Sequence, residues 1–236
     1  MATYYNPPIV TDGLVSVFDA SDKVSYSGSI ENGVLATWDD LGPAEKNGTI
    51  SGATYTESTG SIPALKLDQG SSDMITLGAM NSEISTYFTA MLWIYPTNGN
   101  GGLINTVTGG SRNGFYFGFY GSYEPTIYTQ DSDGGDWGLN CAAAALTANT
   151  WNHVCCVMDG TSTGYIYTNG VQKASGGMTN GWNIGGNSLQ IGGNFGNWNS
   201  NVEFNGNIAY VALYTKALSA TEVLQNYNAH RTRFGI

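Results

Sequence analysis

The chain has 236 residues, 33 of them glycine and 15 tyrosine, and only 11 % are charged, a balance that suits strands and tight turns rather than helices. Its net charge is −10 and its eight Lys and Arg are scattered, which excludes a nucleic-acid surface, because phosphates are met by clustered cations. No apolar run approaches the ~20 residues that span a bilayer.

Residues 1–11 read as an extended arm, since Pro7-Pro8 favours a polyproline conformation and supplies no backbone donors. The opening Met-Ala-Thr-Tyr-Tyr-Asn-Pro-Pro has neither the basic nor the apolar stretch of a secretory signal, so synthesis in a cytoplasm without one is expected. Strands are predicted near 13–19, 34–38, 48–55, 63–68, 73–77, 86–95, 102–107, 113–120, 125–130, 151–158, 163–168, 171–175, 188–191 and 207–214. Residues 131–137, 176–187 and 193–205 read as loops. Between 151 and 174 the pattern is strand, turn, strand, turn, strand. Val154, Cys156 and Met158 alternate with His153, Cys155 and Val157, so both faces of that strand are apolar and buried. Asp159-Gly160 makes the first turn, and Asn169-Gly170 makes a hairpin, because a type I′ turn needs two positive φ angles. Ser219 is a natural N-cap and Glu222 closes a capping box on it, with Leu218 stapling onto Val223. A helix over 219–229 and a tail over 231–236 follow. With no linker or repeat, residues 12–236 form one domain. Cys141, Cys155 and Cys156 are odd in number, and the last two point to opposite faces of one strand, so free buried thiols are expected.

Order and spacing resemble the laminin-G-like, concanavalin A-like jelly-roll domains. The phrases are Trp151-Asn152-His153-Val154, Asp159-Gly160, Tyr167-Thr168-Asn169-Gly170, Leu189-Gln190-Ile191-Gly192-Gly193, Phe204-Asn205-Gly206-Asn207-Ile208 and Leu218-Ser219-Ala220-Thr221-Glu222-Val223. Gly13 to Ala20, Leu67-Asp68 and Phe88 to Pro96 fit in the earlier half. The resemblance implies an all-β sandwich of two antiparallel sheets with one short C-terminal helix. It does not imply one function, since this architecture serves lectins, adhesins, enzymes and inert modules. In calcium-binding members acidic residues cluster at the strand ends, which here would be Asp19, Asp68 and Asp73. Many relatives read Gly-x-Ile-Asp-Glu-Val where this chain has Gly206-Asn207-Ile208-Ala209-Tyr210-Val211, so one expected ligand is missing.

Polysaccharide hydrolases of this architecture present Glu-x-Asp-x-(x)-Glu on one strand, aiming acid and nucleophile into one cleft. No such run occurs, Asp39 and Asp40 are adjacent, and His153 and His230 have no argued partners. The chain is therefore read as a non-enzyme, the alternative being an enzyme whose carboxylates lie far apart in sequence. Asp131, Asp133 and Asp136 make an oxygen cluster, but Gly134 is fourth and Ala142 twelfth in that run, unlike an EF-hand; a solvated acidic turn is the simpler reading. Glycans are held by aromatic faces, amides and carboxylates. Trp137 with Asp133 and Asp136, and Trp198 with Asn194 and Asn197, have that composition, and Trp182-Asn183 is a lesser third. Against this, Asn and Gly populate loops for their αL tolerance and the indoles can cap a sandwich edge. Trp38, Trp93 and Trp151 lie in strand phrases and belong to the core.

The opening Ile9 to Ala20, with Ser25-Tyr26-Ser27-Gly28 and Trp38-Asp39-Asp40-Leu41, and the ending Ala217 to Ile236 resemble laminin-G-like structural proteins of tailed bacteriophages. That resemblance implies a virion surface protein, a capsid decoration or fibre, with other virion proteins as partners, a glycan contact through loops, and self-association into an oligomer. Docking residues would be Tyr4, Tyr5, Pro7 and Pro8 in the arm and Arg231 and Arg233 in the tail, although two arginines there also suit ion pairs that anchor the tail. A receptor-binding lectin domain of a tail fibre is the alternative; no shaft of heptads or repeats is present to favour it.

Overall fold

The computed structural model describes residues 7–26, 35–57, 61–80, 83–84, 86–106, 114–121, 123–130, 136–141, 145–160, 163–178, 182, 188–193 and 203–236. Its strands are β1 (Leu14–Asp19), β2 (Thr37–Trp38), β3 (Gly48–Ser51), β4 (Thr54–Thr56), β5 (Ala64–Leu67), β6 (Met74–Ala79), β7 (Tyr87–Pro96) and β8 (Gly101–Asn105). They continue as β9 (Phe115–Tyr120), β10 (Glu124–Gln130), β11 (Asp136–Asn140), β12 (Asn152–Asp159), β13 (Thr163–Thr168), β14 (Val171–Gly177), β15 (Ser188–Ile191) and β16 (Gly206–Tyr214), before the helix α1 (Ala220–His230).

The strands make two eight-stranded sheets, paired antiparallel throughout. The first runs β14-β13-β12-β7-β16-β5-β4, with β1 also on β16; the second runs β11-β10-β9-β8-β15-β6-β3-β2. This is the all-β sandwich with one C-terminal helix that the sequence predicts. Period-two alternation sends Phe88, Leu92 and Ile94 of β7, Val154, Cys156 and Met158 of β12, and Phe115, Phe117 and Phe119 of β9 into the core between the sheets. The other face of the first sheet is apolar too. Met91, Trp93, Cys155, Val157, Tyr210 and Tyr214 form a second buried cluster there with Leu218, Val223 and Phe234. Hence β12 and β16 are buried along almost their whole length, as the alternation of apolar residues on both faces foretells. The third layer that buries them is α1 and the tail.

Local chemistry agrees with the predicted turns and caps. Asn169 and Gly170 have φ of 48° and 76°, and a Cβ on Gly170 would stand 2.8 Å from Tyr227 Cδ1, so both the turn and the packing need glycine. Ser219 caps α1 by accepting from the Glu222 amide, and the Ser219 amide donates to Glu222 Oε2 at 2.8 Å. Leu218 and Val223 are both buried beside it. All three cysteines are free and buried, with Cys156 in the inner core and Cys155 in the outer one.

Two predicted elements differ. The strand expected over 48–55 is divided at Gly52, which takes φ of +76° where a Cβ would collide with Asp73 Oδ1. The loop expected over 131–137 gives way to β11 at Asp136, because β10 continues to Gln130 and pairs with it; residues 131–135 lie outside the described residues. Ser219→Ala removes one side-chain acceptor and half of the capping box, so a loss of about 1 kcal/mol is expected. Urea titration should show a lower midpoint at unchanged slope.

Candidate functional site

The outer face of the second sheet is where the fold lines up polar side chains. Because Phe115, Phe117 and Phe119 point into the core, Tyr116 and Gly118 point outward. Residues opposite each other in register share a face, and the register carries that outward row across the sheet. It reads Tyr128, Tyr116, Asn105, Gln190, Thr76, Thr49 and Thr37, from β10 to β2. Every member bears a hydroxyl or an amide. Asn105 and Tyr116 are buried, Tyr128, Gln190 and Thr76 half-buried and Thr49 exposed. Asn105 Nδ2 donates to Gln190 Oε1 at 3.4 Å, and burial raises the Tyr116 phenol well above its ordinary pKa. The Tyr116 hydroxyl donates to Gly101 O at 3.2 Å. A Cβ on the neighbouring Gly118 would stand 2.4 Å from that hydroxyl, so glycine lets the tyrosine lie along the sheet. A second outward row, Gly102, Gly118, Thr126 and Asn140, makes a shallow strip beside the first.

Charge is sparse here. No strand of this sheet contains Lys or Arg. Its acidic residues, Glu124 and Asp136, fall at opposite ends of the β10–β11 ladder, six register positions apart, a span of roughly 20 Å. That exceeds the ~5–9.5 Å between the carboxyls of glycosidases. Glu203 is buried, accepting from the Gly70 amide at 2.6 Å and the Ser72 hydroxyl at 3.5 Å, so it braces the 68–73 turn.

The loop residues that the sequence nominates fare differently. Asp133, Asn194, Asn197 and Trp198 lie outside the described residues, as does the side chain of Asp136. Trp137 is described and its indole faces the core, a correction to its reading as a loop platform. Its Nε1 donates to Gly177 O at 2.9 Å, and a Cβ on Gly164 would stand 2.6 Å from Cη2. The ring therefore ties the edge of one sheet to the other, as the edge-capping alternative supposes. Trp182 is likewise spent on packing: it is buried, stacks on Phe88 at 5.9 Å and donates to Thr86 O at 2.9 Å.

The three acids nominated for calcium are not brought together. Asp19 accepts from Arg233 Nη1 and from Ser21, each within 2.9 Å. Asp68 pairs with Lys66 at 2.9 Å, and buried Asp73 accepts from the Asp68 amide at 2.8 Å. Among the described residues no three His, Cys, Asp or Glu are disposed to hold a metal ion.

Of the proposed docking residues, Tyr4 and Tyr5 lie outside the described residues, and Pro8 and the nearby Val10 are tied to their own domain. Pro8 O accepts from Gln225 Nε2 at 2.8 Å, the Val10 amide donates to Asn226 Oδ1 at 2.7 Å, and Val10 O accepts from the Tyr214 hydroxyl at 3.1 Å. Pro7 is half-buried and Arg231 exposed. Arg233 makes the anchoring ion pair with Asp19. His153 is fully buried against Trp93 and Tyr227, and burial lowers its pKa to about 3. It is a packing imidazole here, as the Trp-x-His-Val phrase implies.

The outward row escaped the sequence reading, which sought ligands in loops. Its signal was present as alternation: Phe-Tyr-Phe-Gly-Phe-Tyr at 115–120 and Leu-Gln-Ile at 189–191 each place one polar or small residue between two core ones. The register between distant strands was not legible.

Residues 69–224 match the model of the Laminin_G_3 family, the concanavalin A-like lectin/glucanases superfamily, and the chain belongs to this family. No curated protein matches the sequence significantly. Among solved structures, the binding domain of Paraclostridial Mosquitocidal Protein 1 is similar at 16 % identity and TM-score 0.69 over 92 % of this chain and 52 % of that one. Domain 4 of AbnA, an extracellular arabinanase of Geobacillus stearothermophilus, solved with arabinotriose, is similar at 17 % and 0.64, over 92 % and 100 %. The ligand-binding domain of botulinum neurotoxin serotype D, solved with N-acetylneuraminic acid, is similar at 14 % and 0.61, over 92 % and 51 %. This chain thus spans about half the length of the toxin domains, and at these identities the likeness is one of fold.

Trp137→Ala opens a gap between the sheet edges. A loss of about 2–3 kcal/mol is expected, below that of a fully buried tryptophan, and a thermal melt reads it.

Proposed function

We propose that this domain is a non-catalytic carbohydrate-binding module whose ligand lies along the outer face of the second sheet. One observation carries the reading: a register-aligned row of hydroxyl and amide side chains from Tyr128 to Thr37, on a sheet whose strands hold no cation. Sugar hydroxyls pair with hydroxyls and planar amides, and tyrosine rings add C–H contact. The lack of Lys and Arg on these strands favours neutral glycans over sialylated or uronic ones. Family membership supports the reading, and so do arabinotriose on the arabinanase domain and N-acetylneuraminic acid on the neurotoxin domain.

For its setting, the virion surface of a tailed bacteriophage is our proposal, as capsid decoration or fibre, on the resemblance of residues 9–20, 25–28, 38–41 and 217–236 to such proteins. Peptides of this chain in purified particles would support that setting, and their absence from particles of a phage encoding it would end it.

Calorimetric titration with neutral pentose and hexose oligosaccharides tests the module. Tyr128→Ala and Gln190→Ala are each expected to weaken binding about tenfold, or ~1.4 kcal/mol, while Trp137→Ala changes stability rather than affinity. Reducing ends should not accumulate on long incubation. Their appearance would return the chain to the enzymes, and a failure of all glycans to bind would remove the reading.

A further inference from the structure

The outer face of the first sheet is packed tightly yet leaves several of its polar atoms unsatisfied. Tyr210, Trp93 and His153 form a register row across β16, β7 and β12. Onto Trp93 lie the ring of Phe234 at 4.1 Å and 8° and that of Tyr227 at 5.8 Å and 14°. Phe234 also contacts Trp151 at 5.0 Å, and His230 lies 4.4 Å from Tyr210. Within this cluster Trp93 Nε1, Trp151 Nε1, both nitrogens of His153, Tyr210 Oη, His230 Nδ1 and Arg233 Nη2 are buried without a hydrogen-bond partner among the described residues. Each such atom gives up its hydrogen bond to water and gains none in return. Among the described residues, the cover thus gathers seven buried polar atoms that solvent would satisfy.

We propose that the tail, residues 231–236, is an acid-released latch: protonation of His153 and His230 lifts Phe234 off Trp93 and uncovers the outer face of the first sheet while both sheets stay folded.

The anatomy favours release of the tail alone. Its backbone bonds run locally, from Phe234 N to Arg231 O, Gly235 N to Thr232 O and Ile236 N to Arg231 O, so lifting it breaks no strand ladder. It is tied to the sheet through the Phe234 stack and through Arg233, whose Nη1 holds Asp19 Oδ2 at 2.9 Å.

The groups facing the two imidazoles give an incoming proton little support. β1 contributes Asp19, already paired with Arg233. β16 contributes Tyr210 and Tyr214, β12 Cys155 and β13 Tyr167, each held neutral by burial; α1 contributes the ring of Tyr227, and Arg233 adds a positive charge. Burial lowers His153 to about 3, and burial lowers His230 to about 4, with Arg233 lowering it further against the pull of Asp19. A histidine whose closed-state pKa is depressed stabilises the closed form above its ordinary value near 6.5 and loses that contribution as pH falls below it. At pH 5 a histidine freed to its ordinary pKa shifts the opening equilibrium roughly 30-fold relative to pH 8.

The test follows the full-length chain from pH 8 to pH 4 by acrylamide quenching of tryptophan fluorescence, by hydrogen exchange of residues 228–236, and by far-UV circular dichroism. Quenching and tail exchange should rise between pH 6 and 4 while the sheet signal holds. Phe234→Ala should show the open signature already at pH 8. The double variant His153→Phe/His230→Phe should stay closed to lower pH, and His230→Gln alone, at the half-exposed rim, should shift the midpoint if the double variant fails to fold. A tail that opens only as the sheet signal is lost, no opening down to pH 4, or an unchanged midpoint in the histidine variants would overturn the proposal.

Discussion

The stacking of Phe234 on Trp93 settles a problem that the two sheets cannot solve by themselves. β7, β12 and β16 are apolar on both faces, so pressing one sheet on the other buries only half of what must leave water. A third layer is required, and α1 with the tail supplies it. The capping box at Ser219 sets where the helix begins, Leu218 and Val223 seat it, and Asn226 binds both the Tyr214 hydroxyl and the Val10 amide. The aromatic contacts themselves add about 0.5–1.5 kcal/mol per pair beyond the area they bury.

Covering one sheet decides what the other is free to do. The first sheet spends its outer face on stability, and its polar atoms there are stranded or tied to the arm and tail. The second sheet keeps Tyr128, Gln190, Thr76 and Thr49 wholly or partly open to water on strands whose inner faces are fixed by phenylalanine and isoleucine. A row built on strands is more rigid than one built on loops, so its members keep their spacing whether or not a ligand is bound.

Much of this architecture was legible in the sequence because it rests on local rules. Alternation at 151–158, Asn169-Gly170 and the Ser219–Glu222 box each determine structure within a few residues of themselves. What was not legible depends on pairing between remote segments. That Trp137 faces inward is decided by β11 joining β10 and by Gly164 and Gly176 making room across the gap. That Asn105 meets both Tyr116 and Gln190 depends on β15 lying beside β8, separated from it by more than eighty residues. The family resemblance singled out Asp19 as an acidic residue at a strand end; only the folded chain brings Arg233 to it. The Asn-rich segment 194–202 stays an expectation from composition.

The hydrogen bonds that join Val10 to Asn226 and Pro8 to Gln225 also bring the two ends of the domain side by side, on the sheet opposite the polar row. A unit whose ends meet can be spliced into a loop of a larger protein, or reordered by circular permutation, without threading chain across its working surface.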